Sequence, residues 1–282
     1  MHSSAKPGRR SLLLGALFAP LLARAQDGFD HTHDAWTRLL AAHVRVNPAG
    51  NASRVDYKGF AADRGALQAY LQSLSAVARA QYDGWNKPQQ FAFLANAYNA
   101  FTVEKILTRY PDLRSIRDFG RLIGNPWKDA FFTLLGARHH LDWIEHEMLR
   151  APGVFDEPRV HVAANCASIG CPMLGRSAFS PTALDAQLET LQRAFLSDRT
   201  RNRYDAATRS LQLSPIFDWY KADFDKGGKS FLGYPNGGGA AAVGARYADL
   251  LADGASERAA LRAGGVPIAF LEYDWLLNDV AR

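Results

Sequence analysis

The chain has 282 residues, with 33 Lys and Arg against 28 Asp and Glu, a formal net charge of +5. Four of those basic residues and no acidic one fall in residues 1–25, so the remaining 257 carry 29 against 28, and the balance is no footprint for nucleic acid. The two cysteines, Cys166 and Cys171, are too few for a disulfide scaffold or a four-cysteine zinc site.

The N-terminus falls into three zones. Lys6, Arg9 and Arg10 are basic, Leu12 to Leu22 is apolar, and Ala23-Arg24-Ala25 has the small-residue form that a signal peptidase accepts. Spanning a bilayer takes about 20 apolar residues, more than this run supplies. Residues 1–25 are therefore expected to be a cleaved export signal, giving a periplasmic or secreted protein. Arg9-Arg10 before Ser11 resembles a twin-arginine signal, with an ordinary basic zone as the alternative. No later stretch has the length and apolarity of a membrane span.

Residues 26–34 are polar and predicted to be a mobile tail, with one globular domain over 35–282. A helix is expected from Ala35 to Val44, with Trp36, Leu39, Leu40 and His43 on one face. Residues 45–58, with Asn47-Pro48 and Asn51, suggest a loop, and 64–79 a second helix. Pro88 to Arg109 is apolar nearly all round, as befits a helix at the middle of a core. Ala130–Leu135 and Arg138–Leu141 read as a hairpin turning at Gly136-Ala137. Asp142–Leu149 follows as a helix, Arg159–Ala163 as a strand, and Pro181–Leu196 as an amphipathic helix. Leu211–Leu213 and Ile268–Tyr273 are strand candidates, while Phe217–Phe224 and much of Ala240–Leu261 are helical. Residues 227–239, with six glycines, read as a surface loop and lack GxxxxGK[ST]. The expected class is α+β: helix-rich, with a small, mostly antiparallel sheet and the 88–109 helix buried at its centre.

Four blocks together resemble the family of the domain of unknown function numbered 547. They are Phe91–Leu107 (FAFLANAYNAFTVEKIL), Leu141–Arg150 (LDWIEHEMLR), Arg159–Leu174 (RVHVAANCASIGCPML), and Leu213–Phe224 (LSPIFDWYKADF) taken with Leu271–Asp279 (LEYDWLLND). The resemblance implies a fold and a site rather than a reaction, and that family's secreted bacterial members agree with an export signal. Leu276 stands where the family often has Ser.

The third block holds most of the candidate chemistry. A cysteine becomes a nucleophile when a base or a helix N-terminus favours its thiolate. Cys166 is expected on a turn leaving the 159–163 strand, with His146 or His161 as base. Asn96 or Asn99 would orient the imidazole, as Asn does in some thiol hydrolases. That constellation implies acyl transfer on a peptide, amide or thioester, with an unidentified small molecule or peptide as partner. Cys171 is either a second thiol or the disulfide partner of Cys166, and inert thiols are a further alternative. A bond would stabilise by roughly 2 kcal/mol and exclude a resting nucleophile. The rival function is a non-catalytic envelope binding or structural protein containing that bond.

Asp142-x-x-Glu145 has the form of a capping box, which would give Glu145 a structural role. Trp219, Tyr220 and Trp275 read as packing residues. His31, His33 and Asp34 form one cluster of metal-binding residue types and His139-His140 another, but neither has a recognised ligand spacing. No cofactor is implied.

Overall fold

The computed structural model describes residues 1–2, 28–120 and 124–281. The expected signal, residues 1–25, thus lies outside the described residues apart from its first two. Among the described residues no helix is long and apolar enough to cross a membrane.

Helix α1, Asp34–His43, buries Trp36, Leu39, Leu40 and His43, the face its spacing dictates. The stretch expected to be a loop instead forms a hairpin of β1, Val44–Val46, and β2, Ser53–Val55, paired antiparallel. Its turn is set by Asn47, whose Oδ1 accepts from the backbone N–H of Asn51 (3.0 Å) and Ala52 (3.2 Å). Strands of three residues are too short to show alternation, so the turn chemistry was the only local sign of them. Helices α2 (Tyr57–Ala62), α3 (Arg64–Ser75) and α4 (Arg79–Asp83) follow.

Helix α5, Lys87–Leu107, lies at the centre, as expected from a sequence with no polar stripe. Asn86 and Gln89 form a capping box, with Asn86 Oδ1 accepting from Gln89 N at 3.0 Å and Gln89 Oε1 from Asn86 N at 3.0 Å. Pro88 in the first turn lacks only an N–H that would have no helical partner there. Around α5 pack α2, α3 and the segment Trp143–Leu149.

In the stretch expected to be a tail, residues 28–33 lie against the core. Phe29 packs edge-on against Phe93 and lies 5.2 Å from the Trp85 ring. His33 is 1% exposed, and its Nδ1 lies 2.7 Å from Tyr70 Oη. A polar composition suggested mobility, but one phenylalanine finding an aromatic nest anchors residues 28–33.

Strands β3 (Phe132–Leu134) and β4 (Ala137–His139) form the expected hairpin. Trp143–Leu149 is a π-helix rather than an α-helix. Residues 159–163 are not a strand. Val160–Ala163 is a one-turn helix, α6, with all four side chains buried. Two β-branched valines favoured a strand, and a segment buried on every side gives no periodicity to correct that preference.

Helix α7 spans Leu184–Ser197. Strands β5 (Arg203–Asp205) and β6 (Ser210–Leu213) pair antiparallel. Two short helices, α8 (Ile216–Trp219) and α9 (Lys221–Asp225), replace the single one expected over 217–224. After the glycine-rich loop come α10 (Gly239–Arg246), α11 (Ala248–Leu251) and α12 (Ala255–Ala263). The last strand, β7 (Ile268–Phe270), pairs parallel with β6. The whole is a helix-rich α+β domain with small, mostly antiparallel sheets.

The C-terminal segment then crosses the molecule as a strap. Gly170 N donates to Asp274 O (2.8 Å), Ile169 N to Leu276 O (2.8 Å) and Asn278 N to Ala167 O (3.1 Å). Val55 N also donates to Asn278 O (2.8 Å), and Tyr57 Oη to Asn278 Oδ1 (2.8 Å). The strap thereby ties the cysteine loop to the β1–β2 hairpin. Gly170 permits this closeness, since a Cβ there would lie 2.9 Å from the Tyr273 ring and 3.0 Å from Asp274 N.

Candidate functional site

A cavity of about 220 Å³ opens between the π-helix, α6, α8 and the strap. Glu145, His146, His161, Cys166 and Cys171 all line it, so five of the seven residues singled out from sequence share one space. A larger cavity of about 450 Å³ lies across the Gly170–Tyr273 contact, between the β1–β2 hairpin and the strap, and contains none of the seven.

Cys166 and Cys171 are joined as a disulfide. Cys166 is half-buried on the cavity wall, while Cys171 is buried. Hydroxyls surround the sulfurs: Ser168 Oγ is 3.1 Å and Tyr273 Oη 3.2 Å from Cys166 Sγ. Cys171 Sγ accepts from the Cys166 backbone N–H at 2.9 Å. Ala167 takes a left-handed φ of 63°, and its N–H donates to Asn165 Oδ1 at 2.9 Å. A non-glycine residue there stores a modest strain, which the side-chain bond and the strap hold in place.

His161 is the most constrained of the candidate groups. It is 5% exposed, and its Nε2 lies 2.7 Å from Asp223 Oδ2. Burial pushes the imidazole below its ordinary pKa, against the pull of Asp223, so the ring is neutral at pH 7. Burial would raise the Asp223 carboxyl, but hydrogen bonds from His161 and Arg150 outweigh it and hold the group at about 2. An ionised Asp223 must accept, which puts the His161 proton on Nε2 and leaves Nδ1 as the basic nitrogen. Arg150 Nε donates to the same carboxylate oxygen at 2.6 Å. The Tyr220 ring stacks on the imidazole at 3.9 Å between centroids and fixes its plane.

His146 is exposed and differently engaged. The Arg150 guanidinium donates to its Nδ1, and its Nε2 lies 3.7 Å from Asp142 Oδ1. With its lone pair turned to a guanidinium, His146 is not a free base here.

The capping role expected of Glu145 is corrected. Asp142 itself has helical backbone angles and caps nothing with its side chain. Glu145 Oε1 accepts from Tyr220 Oη at 2.9 Å. The wider turn of a π-helix lets Glu145 and its neighbour His146 both reach the cavity, consistent with the frequent placement of such turns at functional sites.

Asn96 and Asn99 are also corrected, since neither enters the cavity. Asn96 bonds both ways with the Phe179 backbone, Nδ2 to O at 2.8 Å and N to Oδ1 at 2.9 Å. Asn99 Nδ2 donates to Ala163 O (2.8 Å), and its Oδ1 accepts from Asn165 N (2.8 Å). Each braces an irregular segment against α5, and Asn99 holds the loop carrying Cys166.

The orienting group supplied by the fold is Asp223. It lies 62 residues from His161, and no local pattern pairs the two. Trp219 and Trp275 are likewise more than packing. Trp219 is 48% exposed and stacks on Trp275 at 5.6 Å, and both line the cavity mouth with Trp127 and Tyr273.

In the two histidine clusters the rings meet aromatic and backbone partners. His33 faces Tyr70, His139 stacks on Trp143 at 3.5 Å, and His140 Nδ1 accepts from Trp143 N at 3.0 Å. Among the described residues no group of three or more His, Cys, Asp or Glu is placed to hold a metal ion.

Residues 82–196 match the model of a family described as a protein of unknown function, DUF547. The match covers less than half of the chain. The matched segment contains α5, the π-helix, His161 and both cysteines. It stops short of Asp223 and of Ile216, Trp219, Tyr220, Tyr273 and Trp275, so five of the sixteen residues lining the cavity lie beyond it. No curated protein and no solved structure matches the chain.

Proposed function

We propose that this chain is an exported hydrolase or acyl transferase for a peptide, amide or thioester, with Cys166 as nucleophile and His161 as its base. One observation carries the assignment: the Asp223-bound imidazole and the Cys166–Cys171 pair wall the same cavity of about 220 Å³. A space of that size brings one small substrate against all of them. His161 Nδ1 would take the thiol proton, the thiolate would attack the carbonyl carbon, and the imidazolium would protonate the leaving group. Asp223 would keep the proton on Nε2 and steady the charged ring, as a carboxylate does for histidine in triads. Cys166 is chosen over Cys171 because it is the less buried sulfur. The export signal read from residues 1–25 supports the placement outside the cytoplasm.

The disulfide makes turnover conditional. A dithiol must first reduce Cys166–Cys171, because a bonded sulfur cannot attack. The test alkylates the full chain with iodoacetamide before and after dithiothreitol, maps the labelled peptide, and follows thioester hydrolysis alongside. Labelling at Cys166 only after reduction is expected, slowed roughly tenfold or more at pH 7 by His161→Gln, within the usual span of general-base effects. A reduced Cys166 that reacts no faster than free cysteine, and is indifferent to His161→Gln, would remove the proposal.

The same disulfide favours a second reading, a non-catalytic envelope binding protein whose bond shapes the cavity wall. Ligand binding that persists in the oxidised chain, with no turnover in the reduced one, selects it.

A further inference from the structure

The charges and rings around the cavity narrow what it would accept. Its only formally charged side chains are carboxylates, Asp142 and Glu145, and no Lys or Arg lines it. Glu145 is 7% exposed and accepts from one phenol hydroxyl, Tyr220 Oη at 2.9 Å. Among the described residues no Lys or Arg pairs with it, whereas Asp223 nearby has Arg150 at 2.6 Å. A buried carboxylate without a cation is costly, and a hydroxyl donor answers only part of that cost. The mouth is aromatic: Trp219 to Tyr273 is 4.9 Å, Tyr273 to Trp275 4.5 Å, and Trp127 to Trp275 5.9 Å between centroids. Aromatic faces attract cations, and alkylated ammonium groups most readily, because such groups shed water easily. The Arg117 guanidinium lies 5.1 Å over the Trp275 ring but lines a neighbouring cavity, not this one.

We propose that the cavity selects a small molecule bearing an alkylated ammonium group, held against the cluster of Trp219, Tyr273 and Trp275 with its charge toward Glu145. This assigns a substrate class to the proposed active site and rests on that cavity being the functional one. An anionic ligand would meet two carboxylates, and a neutral apolar ligand would leave Glu145 unanswered.

The test titrates the full, oxidised chain with choline and with its neutral isostere 3,3-dimethylbutan-1-ol, using tryptophan fluorescence and calorimetry. Saturable choline binding is expected, with the isostere at least tenfold weaker. Glu145→Gln, which keeps an oxygen acceptor for Tyr220, should weaken choline at least tenfold and leave the isostere unchanged. Trp219→Ala, at an exposed position, should weaken choline while circular dichroism stays that of the parent. Equal binding of the two probes, no saturable choline binding, or indifference to Glu145→Gln would each overturn the proposal. Cys166 alkylation is scored separately. Choline selectivity can therefore fail while His161-dependent thiol reactivity stands, and the reverse outcome is equally visible.

Discussion

Single side chains decide how the cysteine loop is held. Asn99 satisfies one donor and one acceptor of the loop's backbone inside the core. Asn99→Leu would leave both orphaned and cost about 1–3 kcal/mol for each group left unpaired, read from urea denaturation. At Gly170 the limit is steric. Gly170→Ala should cost about 1–3 kcal/mol, the usual range for overpacking, and show displacement of the Tyr273 ring by nuclear magnetic resonance. His33 carries a pH dependence. Burial lowers its pKa from 6.5 to about 4, against the attraction of Asp30. Between those values the unfolded chain holds more proton than the folded one, so stability is full above pH 6.5 and falls as pH drops toward 4. The shift amounts to about 3 kcal/mol. Denaturation midpoints from pH 7 to 4 should lose that slope in His33→Phe; an unchanged slope would place the titration elsewhere. The residues that seemed chemical in the sequence do gather at one cavity, except Asn96 and Asn99. There the polar residue type was noticed but its service to backbone groups could not be, because those groups lie 64 to 83 positions away.

At the scale of elements, α5 organises the rest. Phe93 is fully buried and meets Phe29 at 5.4 Å, Tyr82 at 5.9 Å and Trp85 at 5.2 Å. Phe93→Ala should cost about 3–5 kcal/mol and release the N-terminal segment, detected as faster proteolysis near residue 30. A change in stability without faster cleavage would show that Trp85 alone anchors the segment. The long helix and α1 were legible because ten or more residues repeat a pattern that only a helix satisfies. The β1–β2 hairpin and α6 were not, since three or four residues contain no period. The π-helix was also invisible, because its sequence differs in no local way from that of an α-helix.

For the molecule as a whole, the strap is the closing piece. It supplies Tyr273 and Trp275 to the cavity, buries Leu277 in the core, and joins loops distant in sequence. Deleting residues 271–282 should therefore expose the disulfide. Its reduction by dithiothreitol, followed by thiol titration, should accelerate roughly tenfold or more, as protection by the closed state is lost. Unchanged kinetics would mean that α6 and the π-helix shield the bond unaided. The helix-rich α+β class and the central helix could be read from the sequence. The pairing of the strap with Ala167, Ile169 and Gly170 could not, because its hydrogen bonds are made by backbone atoms common to every residue.

That strap also imposes an order in time. The ribosome makes Cys166 more than a hundred residues before Tyr273 and Asn278. The nascent chain can form α5 and the cysteine turn early, but the pocket has no outer wall until residues 273–279 have been made. A message truncated before that point would yield a polypeptide with its sulfurs and imidazole in place and nothing to enclose them.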